Sequence, residues 1–252
     1  MLCHAPSNST ALKGLRAGRP ARSDYFCQVD FVVFLILLVF AYNKGMMFET
    51  IVVGQLDTNC VVIADTITRD ACVIDPGDEP EKISAHINGN DLRPACILFT
   101  HAHYDHVCAA RELKEQYHAD IVMHEDEMST YMDTKRLCVS RGFDEEDFPL
   151  PDIFVRDNDI IKVGNHCFRV IHTPGHTPGS ICLLGNGVLV SGDTLFRGSA
   201  GRTDLPGGNR EHLLRSLKKL MRLPDTTRVL CGHDQETTIK IEAETNPFMA
   251  VP

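Results

Sequence analysis

The sequence predicts an α+β domain in which two sheets pack together and carry helices on their outer faces. Three observations predict it. Short apolar runs of strand length recur from residue 48 onward, bounded by Gly, Pro, Asn and Asp. Helical patterns fall between some of these runs, giving strands and helices in mixed order. One stretch near the C-terminus, residues 210–223, carries a single apolar face at helical spacing.

Taken in order, residues 1–46 stand apart as an N-terminal extension. They hold five basic and two acidic side chains. Within them "FVVFLILLVFAY", residues 31–42, is apolar without a break. As a helix it would span roughly 18 Å, against roughly 30 Å of bilayer hydrocarbon. It reads as the apolar part of a leader or as a short hydrophobic anchor, and membrane contact is expected only if it acts as one. The strand pattern starts abruptly at "MFETIVVG", so residues 47–252 are expected to form the domain and residues 1–45 to be dispensable for its chemistry.

Three successive strands are predicted at 48–55, 59–65 and 71–77, then a helix over 79–87, a strand over 95–100, a helix over 107–117 and a strand over 119–124. Residues 133–159 are polar and acidic, with Pro149 and Pro151, and are expected to form a long loop or lid. Strands follow at 167–173, 180–186 and 187–193, the last two joined by the hairpin signal Asn186-Gly187. In the helix over 210–223, Leu213, Leu214, Leu217, Leu220 and Met221 share one face; Asn209 is the expected N-cap and Pro224 the stop. A strand over 228–233 ends on another histidine.

Composition narrows the function. The chain has 252 residues, 43% of them hydrophobic, and a net charge of -9. Outside residues 1–46 there are 20 basic against 32 acidic groups. An acidic body argues against nucleic acid as partner. No C-x-x-C pair occurs among the ten cysteines, which excludes a zinc ribbon or a thioredoxin-like motif. Cys60, Cys72, Cys96, Cys167 and Cys182 lie in apolar runs and are expected to be buried thiols. A cytoplasmic location is therefore expected, with membrane anchoring through residues 31–42 as the alternative.

The chemistry concentrates in "THAHYDH", residues 100–106, where the strand over 95–100 stops. His101 and His103 are two apart and face one side of an extended loop, while Asp105 and His106 sit at the turn into the next helix. His176 lies between two Pro-Gly turns in "HTPGHTPGS", Asp193 in "SGDTLF" and His233 in "CGHD", each after a strand. Convergence of imidazoles and carboxylates from strand ends is what a metal site needs. Seven nitrogen and oxygen ligands suit two borderline divalent ions, zinc foremost, with iron or manganese as alternatives.

This pattern resembles the metallo-β-lactamase superfamily over residues 47–252. Within it, "PGHTPGSICLL", "SGDTLF", "GRTDLPGGN" and "TNPF" are similar to the small, single-domain bacterial members of the hydroxyacylglutathione hydrolase (glyoxalase II) type. The resemblance implies a four-layer αβ/βα sandwich. It implies that His101, His103 and His176 hold one ion, that Asp105, His106 and His233 hold a second, and that Asp193 bridges them. A hydroxide shared by the ions would hydrolyse a small hydroxyacyl thioester such as S-D-lactoylglutathione. Asp105 would orient that nucleophile, and Arg202 would meet the anionic end of the substrate. Two departures stand out: the helical C-terminal domain that supplies basic residues for glutathione is missing, and Asp234 follows His233 where many relatives have Gly. The alternative of the same fold is a persulfide dioxygenase, with one iron on His101, His176 and Asp193.

Overall fold

The computed structural model describes residues 45–249. The apolar segment 31–42 lies outside them. The chain runs β1 (Met46–Val53), β2 (Thr58–Asp65), β3 (Asp70–Ile74), α1 (Pro80–Gly89), β4 (Arg93–Leu98), α2 (Tyr104–Val107), α3 (Ala110–Tyr117), β5 (Asp120–His124), α4 (Met128–Val139) and β6 (Ile153–Val155). It continues through β7 (Ile160–Val163), β8 (His166–His172), β9 (Ile181–Gly185), β10 (Val188–Gly192), β11 (Leu195–Phe196), β12 (Ser199–Ala200), α5 (Arg210–Leu220), β13 (Arg228–Cys231), β14 (Thr237–Thr238) and α6 (Ile239–Thr245).

Two six-stranded sheets result. The first has the order β1-β2-β3-β4-β5-β6 and is antiparallel up to β3, parallel after it. The second has the order β14-β13-β10-β9-β8-β7, with only β10 and β13 parallel. Side chains alternate across each strand, so a strand covered on both faces reads as a continuous apolar run. β2 is such a strand and is buried throughout. Its Val61 and Ile63 meet Phe168, Val170, Leu183 and Val190 of the second sheet. Its Val62 and Ala64 face the layer holding Ile83 and Ile87 of α1, Leu113 of α3 and Tyr131 of α4. On the far side, Leu184, Leu189 and Val229 pack against Leu213, Leu217 and Leu220 of α5. The layers are therefore helix, sheet, sheet, helix, the sandwich the sequence predicts.

The hairpin at Asn186-Gly187 forms with both residues at positive φ, 51° and 73°, as a primed two-residue turn requires. Asn209 caps α5 by accepting a hydrogen bond from the backbone N–H of His212, 3.1 Å.

Three expectations change. The predicted helix over 107–117 starts later, as α3 at Ala110, and Asp105 and His106 lie in a separate short helix, α2, ahead of a break at Cys108 and Ala109. β1 begins at Met46 and is paired along its whole length with β2. The long loop expected over 133–159 is a helix at its start and a strand near its end. α4 runs to Val139 because Tyr131 and Cys138 are buried, and Tyr131 Oη donates to the Pro149 carbonyl at 2.6 Å. Tertiary burial here overrides a pattern poor in apolar periodicity. No helix among the described residues is long and apolar enough to cross a membrane.

Candidate metal centre

The sheets meet at one edge. There Thr58 of β2 bridges to His233, the Asn59 backbone N–H donates to the Gly232 carbonyl at 2.8 Å, and Asn59 Nδ2 reaches the carbonyls of Cys231 and Asp234 at 2.9 Å each. At this edge β4, β8, β10 and β13 all end, delivering His101, His176, Asp193 and His233 from four strands.

The structure brings all seven expected ligands together. Ligand atoms of His101, His103 and His176 lie within 4.8 Å of one another, and so do those of Asp105, His106 and His233. Asp193 stands between the trios. Its Oδ2 is 3.5 Å from His176 Nε2, 3.9 Å from His101 Nε2 and 3.7 Å from His233 Nε2, while Oδ1 is 3.5 Å from His106 Nε2. Asp105 Oδ2 lies 3.3 Å from His233 Nε2 and 3.4 Å from His106 Nε2.

Hydrogen bonding orients the rings. The partners assign Nδ1 as the donor in four of them. His106 Nδ1 gives to Asp75 Oδ2 at 3.0 Å, His176 Nδ1 to the Arg202 carbonyl at 2.8 Å and His233 Nδ1 to the Leu56 carbonyl at 3.0 Å. His101 Nδ1 gives to Thr100 Oγ1 at 3.2 Å, and that hydroxyl in turn donates to Asp75 Oδ2 at 2.6 Å. Each Nε2 then turns a lone pair inward. His103 is the exception: its Nδ1 points in, 2.9 Å from His176 Nε2.

Three atoms at the heart of the cluster are buried with no hydrogen-bond partner: His101 Nε2, His106 Nε2 and Asp193 Oδ1. An unpaired buried acceptor costs about 1–3 kcal/mol. Cations held by the two trios would satisfy all three, so the donor set fits metal ions. The electrostatics agree for the first trio. Burial and the neighbouring imidazoles hold His101 well below the usual histidine range. Burial brings His103 and His176 down to about 4, so both are neutral imidazoles at neutral pH. Burial pushes Asp105 upward, but the imidazoles of His106 and His233 beside it outweigh burial and keep the carboxyl well below its usual range. Burial in turn pulls His106 and His233 down, but the carboxylates Asp105 and Asp193 outweigh it and raise both above the usual histidine range.

Sequence reasoning missed Asp75. It sits after β3 at φ 53°, accepts the Thr100 backbone N–H at 2.7 Å and is the acceptor for His106. The signal was present in "IDPG", where Gly77 lets the chain approach so closely that a Cβ there would fall on the Asp105 carbonyl. Gly232 has the same role beside Asp193 Oδ1.

A cavity of about 790 Å³ opens above the cluster. Leu56, Tyr104, Leu137 and Phe196 give it an apolar wall. Arg202 lines it too, but its guanidinium makes a bidentate pair with Asp204, Nε to Oδ1 2.7 Å and Nη2 to Oδ2 2.8 Å. Arg202 thus reaches the cleft already neutralised by a partner, and its carbonyl serves His176 directly.

Known proteins give the same picture. The family model of the metallo-beta-lactamase superfamily matches residues 53–233. The hydroxyacylglutathione hydrolase GloC of Haemophilus influenzae is 36% identical over 209 residues, covering 81% of this chain and 98% of its own. The crystal structure of TTHA1623 in a di-iron-bound form is similar with TM-score 0.70 and 36% identity, over 79% of this chain and 99% of that one. That of ETHE1 from Myxococcus xanthus is similar with TM-score 0.70 and 30% identity, over 82% and 86%.

Proposed function

The chain belongs to the metallo-beta-lactamase superfamily, and from that premise we propose that it hydrolyses small hydroxyacyl thioesters of the S-D-lactoylglutathione kind with two divalent ions, zinc foremost. One observation carries the reading: two trios of ligand atoms, each within 4.8 Å, flank a single carboxylate that reaches both. The 36% identity to a protein named as a hydroxyacylglutathione hydrolase supports the substrate class.

In this reading His101, His103 and His176 hold one ion, Asp105, His106 and His233 the other, and Asp193 is shared. When bound, such a pair of cations acidifies water and polarises an acyl carbonyl. The chain's own residues do the rest. Asp105, kept ionised and steadied by Thr58 Oγ1 at 3.1 Å, accepts a proton-bearing partner on the cleft side and so orients the attacking water. The apolar wall takes the acyl and thiol chains and strips water from the carbonyl. The leaving thiolate needs no acid, since an ordinary thiol has a pKa of about 8.5. Arg202 meets an anionic carrier only by sharing or releasing Asp204.

Elemental analysis of the fully loaded protein tests the reading. Two ions per chain are expected. The second reading, a persulfide dioxygenase with one iron on His101, His176 and Asp193, is favoured by the likeness to the Myxococcus xanthus structure. It requires one ion per chain and oxygen uptake with glutathione persulfide.

A further inference from the structure

Behind the ligand loops lies a carboxylate that the proposed chemistry does not use. Glu127 closes the turn between β5 and α4 and is 0% exposed. Among the described residues no cation pairs with it. Three donors do. The backbone N–H of Ala102 meets Oε1 at 2.9 Å; Thr177 Oγ1 and the backbone N–H of Gly179 meet Oε2 at 2.8 and 2.7 Å.

Those donors come from two separate loops. Ala102 stands between His101 and His103, and Thr177 follows His176. The three histidines are the first trio, and their loops are supplied by different sheets. Thr134 of α4 adds a hydrogen bond from Oγ1 to the Ala102 carbonyl at 2.6 Å, so both polar groups of that residue are held. Gly179 lies so close that a Cβ would collide with the Glu127 backbone. Burial pushes the Glu127 carboxyl up to about 7, against the pull of its donors; a buried acid so placed is costly to keep, which asks for a compensating role.

We propose that Glu127 is a positioning residue that clamps the His101–His103 loop to the His176 loop and so sets the geometry of the first metal site, leaving the second untouched. The second trio is oriented from elsewhere, by Asp75 and by the Leu56 carbonyl. The inference rests on the assignment of His101, His103 and His176 to one ion.

An amide tests it. In Glu127→Gln the oxygen keeps Thr177 and Gly179 best, which turns the NH₂ against the Ala102 N–H and frees the His101–His103 loop. Zinc affinity is measured by chelator competition in two backgrounds: His233→Ala, which keeps the first trio, and His103→Ala, which keeps the second. We expect Glu127→Gln to weaken zinc about 10–100-fold in the first background and to leave the second unchanged. If Glu127→Gln fails to fold, Thr177→Val removes one clamp bond and should weaken zinc several-fold in the His233→Ala chain alone. No change there with whichever variant folds, or an equal fall in both backgrounds, overturns the inference. If His233→Ala by itself binds no zinc, the ligand assignment fails and this inference with it.

Discussion

Asp193 is the residue that lies between the two trios. Its carboxylate offers one oxygen toward His106 and the other toward His176, and the first of these is buried without a partner. Asp193→Asn keeps the shape but replaces one anionic oxygen by a donor that cannot face a cation. Zinc content should fall below two per chain and turnover by on the order of 10²-fold or more, with the thermal transition of the metal-free protein unmoved. Two tightly held ions and a near-normal rate in this variant would remove Asp193 from the bridge. The seven candidate ligands are legible in the sequence because they follow apolar runs, which places them at strand ends. Asp75 had only the turn "IDPG" to mark it, and Glu127 had nothing, since a single carboxylate supporting a neighbour's backbone has no spacing to betray it.

Among the elements, the connection between the sheets depends on a turn. Asp65 ends β2 fully buried and accepts four hydrogen bonds: from the backbone N–H of Ile67 at 2.7 Å and of Thr68 at 3.2 Å, and from both nitrogens of Asn165 at 2.9 Å. Asn165 belongs to the β7–β8 turn, so one carboxylate ties the first sheet to the second. Burial opposes ionisation, but these donors outweigh it and lower the pKa to about 2. A pKa depressed in the folded state gives stability that is present above the unfolded value near 4 and is lost as pH falls toward 2. The contribution is on the order of 2 kcal/mol. Melting temperatures of the protein and of Asp65→Asn should differ at pH 6 and converge between pH 4 and 2; a constant gap would show that the charge is not what matters. β1 to β5, β8 to β10, β13 and α5 were readable from apolar runs, turn residues and one apolar face. α4 was not, because Thr130, Thr134 and Cys138 are buried there in place of a run of aliphatic side chains.

For the whole molecule, the frame of four layers was legible from the mixed order of strands and helices, and the closing pair β14 and α6 was too short to announce itself. The described fold begins at Gly45, whose carbonyl accepts the Thr66 N–H at 2.8 Å, and all of β1 pairs with β2. A chain starting at Gly45 should therefore fold with an unchanged melting temperature and load the same metal; aggregation would make residues 1–44 part of the domain. This frame delivers two trios and a carboxylate between them, which we propose serve thioester hydrolysis. The most direct test of that role is release of free thiol from S-D-lactoylglutathione by the zinc-loaded protein under anaerobic conditions. Steady release is expected, matched one to one by D-lactate and abolished by chelation. No release in the absence of oxygen, from a fully loaded and folded protein, would contradict it.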